Sequence, residues 1–414
     1  MRTAPLRHVA EVRTSSVDKQ TRDGELSVQL CNYTDVYRND KVRPGPDHMR
    51  ATATFDEIAR FRLEIGDSVL TKDSEDPNDI GISAHVADTA SDFVCGYHLA
   101  IARPSPGTHP RYLTWTLRSR PVLDHFSNHA SGISRYGLTT AGLRAAPIPW
   151  HDEPEQRRIA DFLDDRVARI DQIIAARRDQ ASLSADHLRA ALGRLMDTLA
   201  AQFGLAPLRR FCGGIEQGSS PVGEDRPAAD GEDGLLKTSA IQAGRFVEEF
   251  NKVIDPDVVN ERFRVADGDV LVTRGSGSAD LVGDAATVRV TGSARLYLSD
   301  LTYRVKALSI DPEFTTLAII SPRGRAELGS LVRQGTGPAK ARGDDILAIP
   351  IPNAPPSQQT EAVRAAEDIR ADTEAGVNGL TEAVRLLSEY KQSLITAAVT
   401  GEVDVTTAGS GIPG

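Results

Sequence analysis

The chain repeats itself, and the repeat limits what it can fold into. The stretch FRLEIGDSVLTK, Phe61 to Lys72, returns as FRVADGDVLVTR, Phe263 to Arg274. APIPWHDEPEQ, Ala146 to Gln156, returns as IPIPNAPPSQQ, Ile349 to Gln359. Between these, SGISRYGLTTAGL (Ser131 to Leu143) matches QGTGPAKARGDDI (Gln334 to Ile346) in place and in turn-like composition. The landmarks recur in one order at an offset of 202 or 203 residues. Self-similarity at a fixed spacing marks a duplicated architecture. The chain reads as two copies of one module: a mixed domain, a proline turn, then a helix.

A length of 414 residues exceeds what one core supports and suits two or three domains. No run of eighteen apolar residues occurs, so no membrane span is expected. The start, MRTAPLRHVAEVRTSS, lacks the apolar core of a signal peptide. Cys31, Cys95 and Cys212 are odd in number, far apart and never CxxC. They predict a reduced, cytoplasmic chain without a disulfide frame or a cysteine metal site. The net charge of −10 argues against coating nucleic acid non-specifically. Most of that charge lies in the segments 151–200 and 357–414, so the remainder is close to neutral. A nearly neutral domain can still present a basic groove, because affinity follows local Lys and Arg.

Within each module the Gly-Asp of GDSVLT or GDVLVT reads as a turn feeding a short β-branched strand. AATVRV and DLTYRVKAL add strands; HPRYLTWTLRS and PEFTTLAIISPRGRAELGSLV add short helices. Each domain is read as α+β around a modest, twisted sheet. EPEQRRIADFLDDRVARIDQIIAARRDQ then opens a long helix with a thin apolar stripe: Ile159, Phe162, Leu163, Val167, Ile170, Ile173 and Ile174. It continues through Leu188, Leu192, Leu195 and Leu199. A second stripe runs Val363, Ala366, Ile369, Val377, Leu380, Val384, Leu387, Leu394 and Ile395. Spacings of three and four mark one apolar face per helix. Two long helices with narrow seams predict a mutual coiled coil; the alternative is that each packs on its own domain. The charged face, with Arg157, Arg158, Asp164, Asp165 and Arg169, is expected to remain open. The expected boundaries are domain 1 over 1–150, helix 1 over 151–203, domain 2 over 204–356, helix 2 over 357–405 and a flexible tail over 406–414.

Catalytic signatures are sparse. No glycine-rich cofactor loop with a Pro-Pro-aromatic motif and no GxSxG elbow occurs. GGIEQGSS (Gly213 to Ser220) has phosphate-loop spacing without the lysine and is read as a plain loop. HFSNH (His125 to His129) puts two histidines on one helix face without the glutamate of HExxH or a third ligand. SEDPND (Ser74 to Asp79) reads as a loop of solvated or capping carboxylates. GDSVLTK ends in a lysine as a nuclease strand does, but its copy GDVLVTR ends in arginine, which weakens a catalytic reading.

Taken together, the motifs resemble the specificity (S) subunit of type I restriction-modification systems. The matches are the two GD-strand motifs, the PIP turn before each helix, EQRRIADFLDDRVARIDQII in the first helix and SLITAAVTGEVDV ending the second. One departure is that the first helix ends RLMDTLAAQFG rather than in an alanine–valine–threonine–glycine run. The resemblance implies a non-catalytic, DNA-binding subunit: two tandem α+β target recognition domains, joined and followed by helices that pair as an antiparallel coiled coil. Each domain would read half of a bipartite site in double-stranded DNA. Two modification (methyltransferase) subunits and the restriction (translocase/endonuclease) subunits would be its partners. S-adenosylmethionine, ATP and Mg would bind those partners, leaving no cofactor, metal or membrane contact for this chain. Two other readings stay open: a restriction enzyme or methyltransferase fragment using the same domains, and a repeat that binds protein rather than DNA.

Base edges and phosphates are read by Arg, Lys, Asn, Gln, Ser and Thr on loops. In domain 1 the candidates are Asn32, Tyr33, Lys72, Ser131, Gly132, Arg135 and Tyr136. In domain 2 they are Lys237, Ser239, Arg274, Ser276, Gly335, Thr336, Gly337, Lys340 and Arg342. The glycines would let backbone approach phosphate. The resemblance also makes the helices a ruler. RRDQASLSADHL (Arg177 to Leu188) interrupts the first stripe, so an insertion is best tolerated there. Four added residues lengthen a helix by about 6 Å, close to the roughly 6.8 Å of two base pairs. Four helix-forming residues after Gln180 are expected to keep both half-sites and widen the unread gap by one or two base pairs. Mapping methylated adenines checks this; an active insertion variant with an unchanged gap would show that the helices do not set the spacing.

Overall fold

The computed structural model describes residues 2–275, 281–290, 292–331 and 340–406. The chain divides into two compact units, Met1–Arg178 with Thr381–Gly414, and Asp179–Leu380. Both divisions fall inside a long helix, Glu153–Phe203 or Pro356–Thr400. No described helix is long and apolar enough to cross a membrane. The three cysteines are free.

The first unit holds a five-stranded sheet in the order Ala10–Thr14, Leu99–Pro104, Ser68–Thr71, Ser83–Val86, Lys41–Val42. A three-stranded sheet of Met49–Ala53, Leu26–Cys31 and Phe93–Cys95 completes it. The second unit repeats both. Gly214–Gln217, Thr302–Lys306, Val270–Thr273 and Ala285–Thr287 follow the first four strands in the same order. In the other sheet Asp233–Leu236 pairs antiparallel with Asn251–Ile254 and parallel with Arg295–Tyr297. Leu26–Cys31 likewise pairs antiparallel with Met49–Ala53 and parallel with Phe93–Cys95. The duplication therefore extends through the whole domain. The expectation of one modest sheet per domain is corrected to two. Hairpin signals reveal neighbours joined by tight turns, whereas these short parallel pairs are joined through long excursions.

The Gly-Asp motif turns the chain into the central strand in both copies. The Gly66 N–H donates to the Val86 carbonyl at 3.0 Å, and the Gly268 N–H to that of Val288 at 3.0 Å. Both glycines have positive φ, 96° and 85°, where a side chain is strained. GGIEQGSS is not a plain loop: Gly214–Gln217 is an edge strand paired with Thr302–Lys306. A Cβ on Gly218 would stand 2.1 Å from the Leu298 carbonyl oxygen, so its backbone lies directly against the segment that follows the strand Arg295–Tyr297.

The PIP turns are strands that close each domain. Ala4 stands opposite Ile148, and Ala206 opposite Ile351. The glutamine that follows is buried in each copy. Gln156 Oε1 accepts from the His109 N–H at 2.7 Å, and Gln156 Nε2 donates to the His151 carbonyl at 2.9 Å. Gln359 does the same with the Asp311 N–H at 2.9 Å and the Ala354 carbonyl at 2.8 Å. His109 and Asp311 cap the short helices Pro110–Leu117 and Pro312–Ile320. One buried amide thus ties the first turn of each long helix to a helix of its own domain.

The first seam has two neighbours at once. In the first unit, Ile159, Ala160, Leu163 and Val167 cluster with Tyr112 and Trp115 of the domain and with Ile395, Ala398 and Val399 of the second long helix. The two helices run antiparallel there: His151 Nε2 lies 2.9 Å from the Val399 carbonyl, and Lys391 Nζ lies 2.6 Å from Asp171. In the second unit Leu192, Met196 and Leu199 share a core with Ala362 and Ala366. The charged face is less open than expected at Asp164, which is corrected. Its carboxylate accepts from Arg111 Nη2 at 2.5 Å and from Trp115 Nε1 at 2.8 Å. Burial raises its pKa, but Arg111 and Trp115 outweigh that and hold it below the usual carboxylate value. Arg157, Arg158, Asp165 and Arg169 remain exposed or half-exposed in pairs along the helix surface.

Replacing a buried amide by an apolar side chain strands the backbone groups it served. Gln156→Leu and Gln359→Leu are each expected to cost about 1–3 kcal/mol for every buried group left unpaired. Urea unfolding checks this, and wild-type midpoints in both variants would dismiss the buried amide as the tie.

Candidate nucleic-acid interface

The end of the central strand is built alike in both domains. In domain 1 the Lys72 N–H donates to the His98 carbonyl at 3.0 Å, and the Lys72 carbonyl accepts from the Leu138 N–H at 2.8 Å. In domain 2 the Arg274 N–H donates to the Leu301 carbonyl at 2.8 Å, and the Arg274 carbonyl accepts from the Ala341 N–H at 2.8 Å. Each cation therefore sits where the strand, the lead-in to the next strand and a late loop meet.

In domain 1, Lys72 Nζ lies over the Tyr97 ring, 4.5 Å from its centroid, and 3.4 Å from Asp73. With 13% of its side chain exposed, this lysine has most of its surface covered. The outward cation is Arg135. Its Nη2 lies 3.3 Å from His98 Nδ1, which in turn lies 2.9 Å from Asp73 Oδ2. Arg135 belongs to a loop closed by two backbone bonds between Ser131 and Gly137, 3.1 and 2.9 Å long. Tyr136 and Gly137 then pair with Ser74 and Asp73. Gly132 has φ 152°, and a Cβ there would meet the Arg135 carbonyl oxygen at 1.9 Å. Its first duty is to let this loop turn. Beside it Tyr33 and Tyr37 stack with centroids 5.4 Å apart. Burial raises the Tyr33 pKa, partly offset by a bond with Ser74. A hydrogen bond to Asp79 raises that of Tyr37. Asn32 caps the helix Tyr33–Arg38, and its N–H donates to Asp35 at 2.7 Å.

In domain 2, Arg274 Nε donates to the Tyr303 hydroxyl at 3.0 Å, with its guanidinium 5.9 Å from the ring centroid. Lys340 is exposed and bridged to Gly275. Arg342 is exposed and caps the helix Gly343–Ala348, its N–H donating to Asp345 at 2.8 Å. Lys237 pairs with Asp225 at 2.5 Å, and the Ser239 carbonyl accepts from Gln242 at 2.9 Å. These two follow the strand Asp233–Leu236 as Asn32 and Tyr33 follow Leu26–Cys31, each strand being flanked on both sides in its sheet.

No protein-family model matches the chain. It is 23% identical over 361 residues to the Type I restriction enzyme EcoKI specificity subunit of Escherichia coli strain K12, covering 81% of this chain and 75% of that one. It is 22% identical over 356 residues to the StySPI specificity subunit of Salmonella potsdam, covering 81% and 74%. A chain from a structure concerning complex assembly and conformational transition of the type I R-M system superposes with a TM-score of 0.68 at 15% identity, over 97% of this chain and 98% of that one. The HsdS subunit from Thermoanaerobacter tengcongensis superposes with a TM-score of 0.50 at 15% identity, over 97% of each. The chain has the fold of a type I restriction S subunit.

On this S-subunit fold the expected residues fall into groups. Lys72, Ser131, Gly132, Arg135 and Tyr136 meet at one strand end, with Tyr33 joined to it through Ser74. Arg274, Lys340 and Arg342 meet at the equivalent end in domain 2. Asn32, Lys237 and Ser239 hold local turns. Ser276, Gly335, Thr336 and Gly337 lie outside the described residues. Sequence reasoning missed Asp73, Tyr97 and His98 in domain 1, and in domain 2 Tyr303 and Asp300, whose carbonyl accepts from Arg274 Nη1 at 3.4 Å. Strand register would have found them, since residue 98 stands opposite the residue that follows Thr71. The His125 and His129 rings stack 3.9 Å apart and bond to the Gly142 and His125 carbonyls. Among the described residues no group of three His, Cys, Asp or Glu side chains stands in metal-binding arrangement.

Gly132→Ala places a Cβ against backbone in a positive-φ position. It is expected to cost about 1–3 kcal/mol and to free the Ser131 and Gly137 amides to hydrogen exchange, while the Ser68–Thr71 strand stays protected. Retained protection at Ser131 and Gly137 would show that the loop closes without the glycine.

Proposed function

We propose that this chain is the sequence-reading specificity subunit of a type I restriction-modification complex, acting in the cytoplasm and without catalysis of its own. Each α+β domain is a target recognition domain for one half of a bipartite site in double-stranded DNA. Two methyltransferase subunits dock on it and methylate adenine, and restriction subunits join to translocate and cut. S-adenosylmethionine, ATP and Mg belong to those partners.

The observation that carries this reading is the duplicated strand end. Two domains share a backbone frame, yet set different polar side chains on it: Lys72, Tyr97 and Arg135 in one, Arg274, Tyr303, Lys340 and Arg342 in the other. A constant frame bearing variable cations and aromatics suits two readers of different half-sites, because base edges are distinguished by side chains while the frame keeps them in register. The likeness to the EcoKI and StySPI specificity subunits supports the same assignment.

Exchanging residues 1–150 for the corresponding domain of a relative is expected to change one half of the methylated site and to leave the other intact. Long-read mapping of methylated adenines in cells expressing the system reads the result. A swap that altered both halves, or neither, would end the modular reading. Cleavage by the purified chain alone would favour an enzyme. Failure to bind DNA in the presence of methyltransferase subunits would favour a protein-binding repeat.

A further inference from the structure

Ile133 is the most exposed large hydrophobic residue among those described, with 97% of its surface open. Single exposed apolar residues are ordinary on protein surfaces. What sets this one apart is its mounting. It sits two residues inside the loop closed by the Ser131–Gly137 bonds, directly after Gly132, whose turn leaves no room for a side chain. Gly137 and Tyr136 fix the return of that loop to Asp73 and Ser74. Arg135, two residues on, reaches His98, and Tyr97 beside it is half-exposed at 49% under the ammonium of Lys72. The loop thus holds an aliphatic side chain outward, two residues from the outward cation Arg135, on a turn pinned to the domain.

Resting on the DNA-reading role above, we propose that Ile133 is a specificity-determining residue that packs on the C5-methyl group of a thymine in the major groove of the half-site read by domain 1. The chemistry is selective. In the grooves of duplex DNA the thymine methyl is the apolar group presented at a base edge, and every other feature of the major-groove code is a donor or acceptor. Arg135, the outward cation of the same loop, supplies charge for a phosphate beside such a contact. An isoleucine discriminates A·T from G·C at that position by covering the methyl, where a serine would not.

The test uses the full chain assembled with its methyltransferase subunits, on a duplex carrying the mapped site. Each thymine of the domain 1 half-site is replaced singly by deoxyuridine, which lacks only the methyl. One replacement is expected to weaken wild-type binding about fourfold, the effect of exposing one buried methyl. Ile133→Ser is expected to weaken binding to the thymine duplex by about the same factor and to be indifferent to that same replacement. Replacements in the other half-site are expected to act equally on both proteins. Because Ile133 makes no core contact, Ile133→Ser should unfold at the wild-type temperature, and Ile133→Val should bind like wild type. Independent, multiplying losses from the variant and the replacement would overturn the proposal, as would insensitivity to deoxyuridine at every position. So would increased 2-aminopurine fluorescence beside the contact that disappears in Ile133→Ser, which would make the residue a wedge between bases. If the wild-type assembly binds no DNA at all, the DNA-reading role itself falls. If it binds without coupling between residue 133 and a thymine methyl, only this proposal falls.

Discussion

The fold depends on a buried side-chain amide used twice. Gln156 and Gln359 each accept from the backbone N–H of the residue whose side chain caps a domain helix and donate to the carbonyl of the turn before their own long helix. A buried amide is tolerated only when its donors and acceptors are met. Meeting them fixes where each long helix leaves its domain. Everything further along the helix inherits that exit. In the first unit the Ile159–Leu163–Val167 face is delivered to both Tyr112 and Trp115 of the domain and to Ile395, Ala398 and Val399 of the second helix.

Asp164 shows how the helix serves two masters. Its neighbours Asp165 and Arg169 form an ordinary surface pair at 2.9 Å, worth little by itself. Asp164 instead takes three donors from Arg111 and Trp115, and Arg111 lies against the Trp115 ring. A charged helix can therefore keep most of its surface for water and still be locked in rotation by one carboxylate. The thin seam supplies adhesion, and Asp164 supplies orientation.

At the strand end of each domain the same division of labour holds. The strand-end frame around Lys72 and Arg274 is made of backbone hydrogen bonds, which impose no side-chain identity. The side chains it carries are then free to differ. Lys72 lies over Tyr97 and beside Asp73, with Arg135 extended from a separate loop; Arg274 is tied to Tyr303, with Lys340 bridged alongside. A frame that ignores side chains and loops that depend on them is a physical basis for keeping a fold while altering what it recognises.

The sequence by itself determined the duplication, the two long helices with their seams, and the turn-and-strand character of the Gly-Asp motifs. These rest on local period and on φ-restricted residues such as Gly66 and Gly268, which a single segment records in full. It also marked Lys72, Arg274 and the Ser131–Tyr136 loop, because those residues sit beside the repeated motifs. Only the tertiary structure decided the second sheet, whose parallel pairing of Gln29–Cys31 with Phe93–Cys95 joins segments over sixty residues apart. Only it decided that Asp164 belongs to Arg111 and that Tyr97, His98 and Asp73 surround Lys72. It alone set Ile133 outward on a pinned turn. Periodicity reports which face of an element is apolar; which distant side chain meets that face is fixed by strand register and crossover, and neither is written in any one stretch of chain.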